Sequence, residues 1–535
     1  MSSDALASAD IVIVGGGTAG CVLADRLTES GECTVILIEA GSRDTNPWIH
    51  IPIGYGKLLG HPDLDWGYST VPQPMLDQRQ VAVPRGKVLG GSSSTNGLLY
   101  VRGQAEDYDD WAKAGADGWS FADTLPYFRK SEDQARGSDS FHGVGGPISV
   151  RDPAIASPLG DAFIAGGNEI GIPFQSDFNG PSQTGIGYYQ MAVRGRVRCS
   201  TAAAYLKRAK NRRNLRVLTD ATVEKILFEG GRAVGVEARR SGVSGRILAR
   251  NSVVLSGGAL ATPQLLMLSG IGPATHLQNI GIDVLLDSPG VGVGLQDHLN
   301  VRVRYRCAQP VTINDSLRSA FGKLKSGLRY IAKGEGPLMV AAGYGAAFFR
   351  SDGSHGRPDF QGYLLLFSTD DSGRALERHS GFMTSGYQLR PKSSGALRLT
   401  GPNQDDPLSI DPAYLNDDED SRVLIGGLRR LQQIVASDAM RPWVAGDFVP
   451  GIPADDQEWM EYIRANASAG HHFCGTCRIG SDVSAVVSPR LQVRGLNGLR
   501  IVDASVMPKI ISGNTMAPVV MIAEKASDMI LEDLR

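Results

Sequence analysis

The sequence predicts an α/β protein in which a Rossmann-like dinucleotide-binding domain carries an inserted α+β domain built on an antiparallel sheet. Three observations point there. The chain opens on a strand–glycine turn–helix–strand pattern with an acid at its end. Similar buried strands return between Asn211 and Gly258. From Asn300 to about Asp455 the pattern instead becomes short alternating strands, as in Val301-Arg302-Val303-Arg304-Tyr305, Phe360-Gln361-Gly362-Tyr363-Leu364 and Leu397-Arg398-Leu399. Such alternation suits an antiparallel sheet with one solvated face.

The opening pattern is the most specific of these. Asp10 to Val14 is a short apolar run that suits a buried parallel strand, and Gly15-Gly16-Gly17-Thr18-Ala19-Gly20 follows it directly. Cys21 to Glu29 reads as a helix stopped by Gly31, and Thr34 to Ile38 as a second buried strand ending at Glu39 and Ala40. Gly15 permits the tight turn, Gly17 lets backbone approach a pyrophosphate, and Gly20 lets helix and strand pack closely. The pyrophosphate would rest on the helix N-terminus, where free N–H groups favour negative charge. Glu39 is placed to accept hydrogen bonds from a ribose and would repel a 2′-phosphate.

Composition narrows the class. The 535 residues suffice for several domains, and 54 Lys+Arg against 56 Asp+Glu imply no broad basic surface for nucleic acid. Sixty-six glycines suit a loop-rich α/β enzyme better than a helical bundle. Met1 to Ala9 is polar and small and shows no secretion signal. No stretch reaches the ~18 uninterrupted apolar residues of a spanning helix, the nearest being Gly336 to Phe349. That count leaves peripheral membrane attachment open. Six cysteines in so long a chain make no disulfide framework, so a cytoplasmic location is expected.

Arg43 to Gln73, rich in Pro, Gly and aromatics, reads as an ordered excursion over the cofactor, with His50 and His61 as surface or packing residues. The run Arg85-Gly86-Lys87-Val88-Leu89-Gly90-Gly91-Ser92-Ser93-Ser94-Thr95-Asn96-Gly97 presents small groups and free N–H donors between apolar shoulders, which implies a buried loop against a phosphate or ring. Trp111 to Gln134 reads as helix and turn, Gly143 to Pro153 as a strand, and helices are expected near Ser316–Lys333 and Asp420–Ser437. Thr262-Pro263 is expected to open a helix, because proline is pre-set for a first turn. Pro518 to Leu534 has Val519, Ile522, Ala523, Ala526, Met529 and Ile530 at helical spacing and reads as amphipathic.

The glycine-rich start, the Arg85–Gly97 run and Gly258-Ala259-Leu260-Ala261-Thr262-Pro263-Gln264-Leu265-Leu266-Met267-Leu268-Ser269-Gly270-Ile271-Gly272 together resemble the glucose–methanol–choline (GMC) flavoprotein oxidoreductases. Gly118-Trp119-Ser120, Leu295-Gln296-Asp297-His298 and the last hundred residues extend the resemblance over most of the chain. It departs at Thr95, where an aliphatic residue is usual and where some relatives carry a histidine bonded to the flavin. The resemblance implies FAD, and Thr95 implies that it is held non-covalently. It further implies cofactor contacts at Gly15, Gly17, Thr18, Ala19, Gly20, Glu39, Ala40, Arg85, Val88, Gly90, Gly91, Ser92, Thr95, Asn96, Gly97, Val223, Gly257, Asp503, Ala504, Thr515 and Met516. Val223 would meet the adenine, Gly257 and Gly258 the pyrophosphate, and Asp503 the polar chain. Asn96 and Gly97 would flank the isoalloxazine, Gly97 leaving room over the ring.

Three readings compete for His471-His472-Phe473-Cys474-Gly475-Thr476-Cys477. Four zinc ligands this close together rarely wrap one tetrahedral ion. A redox C-x-x-C normally opens a helix, whereas Gly475-Thr476 looks like loop or strand. The third reading is a catalytic histidine on a tight backbone. Alcohol oxidation removes a hydroxyl proton and a hydride, and a histidine base suits neutral pH without large tuning. The resemblance makes His472 that base and Asn514 a hydrogen-bond partner of the substrate oxygen. The helix after Asn514 would aim its dipole at the flavin. His471, Phe367, Phe382 and Tyr387 are candidates for the substrate pocket.

The expected domains are a cofactor domain at 1–155, 200–299 and 470–535, and a substrate domain at 156–199 and 300–469. The expected function is FAD-dependent oxidation of an alcohol to an aldehyde or ketone, with electrons passed to a quinone, dye or oxygen. A lyase that keeps FAD without using it, and a non-catalytic flavin-binding protein, are the alternatives. The expected partners are a small-molecule alcohol and that acceptor, without nucleic acid or a transmembrane segment.

Overall fold

Consecutive apolar residues with no polar alternation can bury both faces of a strand, and here they do so in the middle of a parallel sheet. In the computed structural model, which describes residues 5–370, 373, 375–446, 451 and 453–535, the strand Ala5–Val14 lies parallel to Val35–Ile38 on one side and to Val243–Leu255 on the other. Met1 to Asp4 of the polar N-terminal stretch lie outside the described residues. Leu215–Leu218 extends the sheet beyond Val35–Ile38, and Leu499–Ile501 pairs in parallel with Val253 to Leu255. The earlier part of Val243–Leu255 also takes part, on its other edge, in an antiparallel meander with Arg232–Arg240 and Ala221–Glu229.

The first helix begins at Thr18, three residues before the sequence reading starts it, and ends at Leu27. Its first turn therefore follows Gly17 directly, which aims its free N–H groups past the strand ends. The helix Gly258–Leu268 also starts early. Thr262-Pro263 does not open it; Pro263 sits inside it. The carbonyl of Ala259, which a proline four residues on cannot bond, accepts a 2.7 Å hydrogen bond from the Thr476 hydroxyl instead. The interior proline is thus compensated from another segment.

A second sheet is antiparallel throughout, in the order Ser468–Ala469, Leu299–Arg306, Gly381–Gln388, Phe360–Leu365, Gly345–Phe349, Gly185–Tyr188. The helix Asp418–Val435 packs on it through Val423, Leu424, Leu428 and Leu431. The expected Ser316–Lys333 helix is two helices, Ile313–Leu317 and Ala320–Lys333, because Ser319 caps the second by accepting from the Gly322 N–H.

The final helix, Met516–Asp533, corrects the amphipathic reading. Every residue from Met516 to Ser527 is buried. Its polar side is covered because Glu524 accepts from Arg26 and from the Tyr205 hydroxyl, and Lys525 donates to the Gly118 carbonyl. Among the described residues no helix is long and apolar enough to cross a membrane.

Candidate active site

A cavity of about 1040 Å³ runs between the two sheets. Its first end lies where the parallel strands finish, at Val14, Ile38 and Leu255, the usual ligand edge of an open α/β sheet. Gly15 takes φ +103° there, which favours glycine. A Cβ on Gly20 would stand 1.9 Å from the Gly15 carbonyl oxygen, so this glycine permits the close packing of helix on strand. Gly17 differs: its Cβ would meet nothing nearer than 3.8 Å, because it faces the open cavity. The second glycine loop abuts it, with the Gly90 N–H on the Gly16 carbonyl at 2.7 Å and Gly91 against the Gly17 backbone.

Of the expected cofactor residues, Gly15, Gly17, Thr18, Ala19, Glu39, Ala40, Arg85, Gly91, Ser92, Thr95, Asn96, Gly97, Val223, Gly257, Asp503, Ala504, Thr515 and Met516 border this cavity. Gly20, Val88 and Gly90 do not. Gly20 faces the strand, Val88 is buried with Ile49, Leu58 and Leu64, and Gly90 packs against Gly16 and Ser94. Gly97 also needs a different reason from the one its sequence suggests. The space its Cβ would take is filled by Ala342, 2.2 Å away, rather than left open.

The charged groups here fit a flavin dinucleotide. Glu39 is buried, and its two oxygens accept from the Gly16 and Gly41 N–H groups at 2.7 and 2.8 Å. Each oxygen keeps a lone pair for a ribose hydroxyl. Burial pushes its carboxyl up to about 7. Asp503 accepts from the Gly258 N–H, the Thr262 hydroxyl and the Ser505 N–H. Arg85 borders the cavity over the Phe473 ring, and its Nε and Nη2 are buried without a hydrogen-bond partner. Buried guanidinium donors are costly to leave unmet, and a cofactor carbonyl or phosphate would meet them.

The other end of the cavity holds the histidines. Asp297 accepts from the His472 N–H at 2.5 Å and the Gly470 N–H at 3.1 Å, pinching the chain so that His471 between them takes φ +68°. The Tyr414 hydroxyl also donates to Asp297, whose carboxyl burial pushes up to about 6. His472 is thereby turned into the cavity. Its Nδ1 lies 2.9 Å from His298 Nδ1, and its Nε2 3.1 Å from Asn514 Nδ2.

The protons in this row can be assigned. His298 Nε2 faces the Leu389 carbonyl at 2.9 Å and must donate to it. Burial holds His298 down at about 4, so it is neutral and its Nδ1 is a bare acceptor. His472 must then donate through Nδ1–H, which leaves its Nε2 lone pair facing the cavity. Burial, together with His298, His471 and Arg85, holds the His472 imidazole well below 6.5, so the base form prevails at neutral pH. Asn514 is oriented from behind by Gln361, whose amide donates to Asn514 Oδ1 at 3.3 Å.

Around this end the cavity is lined by Tyr55, Leu338, Tyr363, Leu365, Met383 and Tyr387. His471, Phe367 and Tyr387 border it as expected, but Phe382 does not. Side chains alternate along Gly381–Gln388, so Met383 and Tyr387 face the cavity while Phe382 stacks on Tyr305 behind it. Asp297 and His298 were visible only as part of a motif; nothing in their spacing from His472 marks them as its support. The Cys474 and Cys477 thiols are free and buried, and burial pushes both up, the opposite of a reactive thiolate. Among the described residues no group of three or more His, Cys, Asp or Glu could hold a metal.

Comparison with known proteins places this geometry in context. Residues 9–300 and 391–523 match the two family models described as GMC oxidoreductase. The chain is 41% identical over 532 residues to an "Alcohol dehydrogenase [acceptor]" of Pseudomonas putida, covering 98% of this chain and 95% of that protein. It is 38% identical to an "Oxygen-dependent choline dehydrogenase" of Brucella suis, with 98% and 95% covered. Among solved structures, pyridoxine 4-oxidase from "Mesorbium loti" superposes with a TM-score of 0.90 at 33% identity, over 98% of this chain and 99% of that one.

Proposed function

The chain belongs to the GMC oxidoreductases and is an FAD-dependent enzyme that oxidises alcohols, and on that premise we propose that His472 accepts the hydroxyl proton of an uncharged, largely apolar alcohol. The observation that carries the reading is the directed row Gln361, Asn514, His472, His298, Leu389 carbonyl, which leaves His472 Nε2 unprotonated at the cavity, accepting only from the Asn514 amide. Bound FAD supplies the hydride acceptor at flavin N5. Asn514 donates to the substrate oxygen, while His472 Nε2 takes the proton that the same oxygen releases. The imidazolium so formed keeps its Nδ1–H bond to His298.

The walls support this substrate class. Tyrosines, leucines and Met383 surround the catalytic end, and burial, aided by Arg85 and Arg302, pushes His471 down to about 3. Walls with so many aliphatic side chains favour an uncharged carbon chain, so we assign a different preference from that named for the Brucella relative. The N-terminus of Met516–Asp533 borders the cavity at Thr515 and Met516 and adds positive potential for negative charge on the reduced cofactor. Thr95 cannot form the histidine linkage, so FAD is held non-covalently. The electrons then leave to a quinone, a dye or oxygen.

The division into cofactor segments 1–155, 200–299 and 470–535 and substrate segments 156–199 and 300–469 belongs to the proposal. The first sheet draws its strands from the former, and all of the second except Leu299 comes from the latter. Six free cysteines favour a cytoplasmic setting. The test is anaerobic: straight-chain alcohols should bleach the flavin, with efficiency rising with chain length and exceeding that of choline. Preference for choline would overturn the substrate class, and no bleaching by any alcohol would overturn the base assignment.

A further inference from the structure

The helix Ala320–Lys333 faces its apolar side outward. Phe321, Leu324, Leu328 and Ile331 are 75%, 61%, 59% and 64% exposed and fall on one stripe at helical spacing. Other large apolar residues more than half exposed among the described residues, Val144, Phe174, Val243 and Val483, are scattered singly along the chain. The inward face is the polar one. Ser326 and Tyr330 are buried there, the Tyr330 hydroxyl donates to the Arg196 carbonyl at 2.8 Å, and the Arg196 guanidinium donates to the Ile331 carbonyl. Ser319 caps the start and Gly334, at φ +66°, ends it, so the inverted helix is fixed in place.

Its charge is as distinctive as its exposure. Residues 315–335 carry five cations, Arg318, Lys323, Lys325, Arg329 and Lys333, against two acids, in a chain of net charge −2. Asp315 lies 4.0 Å from Arg318 and Glu335 3.2 Å from Arg329. Lys323, Lys325 and Lys333 have no paired carboxylate among the described residues. An exposed apolar stripe edged by unpaired cations is the pattern of a helix that lies in a headgroup layer.

We propose that Ala320–Lys333 is a docking surface for an anionic phospholipid bilayer, with the four apolar side chains in the acyl boundary and the lysines among the headgroups. Charge complementarity selects this occupant over a second copy of a chain that is itself close to neutral. Leu317, Arg318 and Lys323 also border the large cavity. Docking would therefore open the cavity mouth at the membrane surface, within reach of alcohols or acceptors that partition there. That consequence rests on the proposed function; the docking does not.

The full chain with its FAD is sedimented with vesicles of phosphatidylcholine alone or mixed with phosphatidylglycerol. It should pellet with the anionic vesicles at low salt and remain in solution with the neutral ones. Each surface cation is worth ~fivefold in partitioning. Lys325→Glu with Lys333→Glu should lower binding at least tenfold, and Leu328→Ser with Ile331→Ser likewise. Dye-coupled oxidation of a soluble alcohol should be unchanged in both. A wild type that stays in the supernatant, or a charge variant that pellets as the wild type does, would overturn the proposal. So would a wild-type dimer, seen by light scattering, that ignores vesicles and is split by Leu328→Ser with Ile331→Ser.

Discussion

His298 Nδ1 lies 2.9 Å from His472 Nδ1, and only one proton can lie between them. The Leu389 carbonyl decides which nitrogen carries it, because it forces the proton of His298 onto Nε2. A residue that does not border the cavity thus fixes the tautomer of the one proposed to do the chemistry.

Removing that support should be visible without touching the base. His298→Phe keeps a ring against Tyr387, on which His298 stacks at 4.6 Å, but offers no acceptor. The stranded His472 Nδ1–H should cost about 1–3 kcal/mol, or ~10–100-fold in the rate of flavin reduction. The acid limb of the pH profile should move, while KM for the alcohol changes little. An unchanged rate and limb would show that His298 is only packing.

The base itself should be separable from its neighbours. His472→Ala should slow anaerobic flavin reduction by roughly 10²–10⁴-fold with FAD still bound. Asn514→Ala should cost less, since an amide only orients, and Asn514→His should retain partial activity. His471→Ala should act mainly on KM. A larger loss of rate in His471→Ala than in His472→Ala would reverse the two assignments.

Burial sets the sign of the pH dependence. The folded protein holds the His472 imidazole below 6.5, so activity is present above that depressed value and is lost as pH falls through it. The limb should therefore lie below pH 6.5 in the wild type and vanish in His472→Ala. His298 and His471, held down at about 4 and about 3, bind protons in the unfolded chain before the folded one does. Their contribution to stability should fall as pH drops from 6.5 towards those values. His298→Phe should lessen that slope in thermal melts across the same range.

Cofactor loss should be separable from fold loss at Gly17. A Cβ there has room, with nothing nearer than 3.8 Å, yet projects into the cavity. Gly17→Val should give folded, largely colourless protein with a lower melting temperature, because bound ligand stabilises the native state. Denatured wild type should release intact FAD into solution. Flavin left on the precipitated chain would refute the non-covalent assignment at Thr95.

Much of this was determined by local pattern alone. The βαβ start, the glycine roles at Gly15 and Gly20, and the alternating strands after Asn300 depend on neighbours within a few residues, and such short-range constraints are written directly in the sequence. His472 and Asn514 became candidates through the family resemblance, and residue type then limits their roles, because an imidazole can accept a proton and an amide cannot. Where local pattern met a long-range partner it misled. Pro263 sits inside its helix because Thr476 satisfies the Ala259 carbonyl, and Met516 to Ser527 is buried all round because Arg26 neutralises Glu524 and the Tyr205 hydroxyl donates to it. The tertiary structure alone decided the working state of the site. Asp297 and His298 come to His472 from more than 170 residues away. The tautomer, the depressed basicity and the strained turn at His471 all follow from that encounter, because burial and hydrogen-bond direction exist only once distant segments have met.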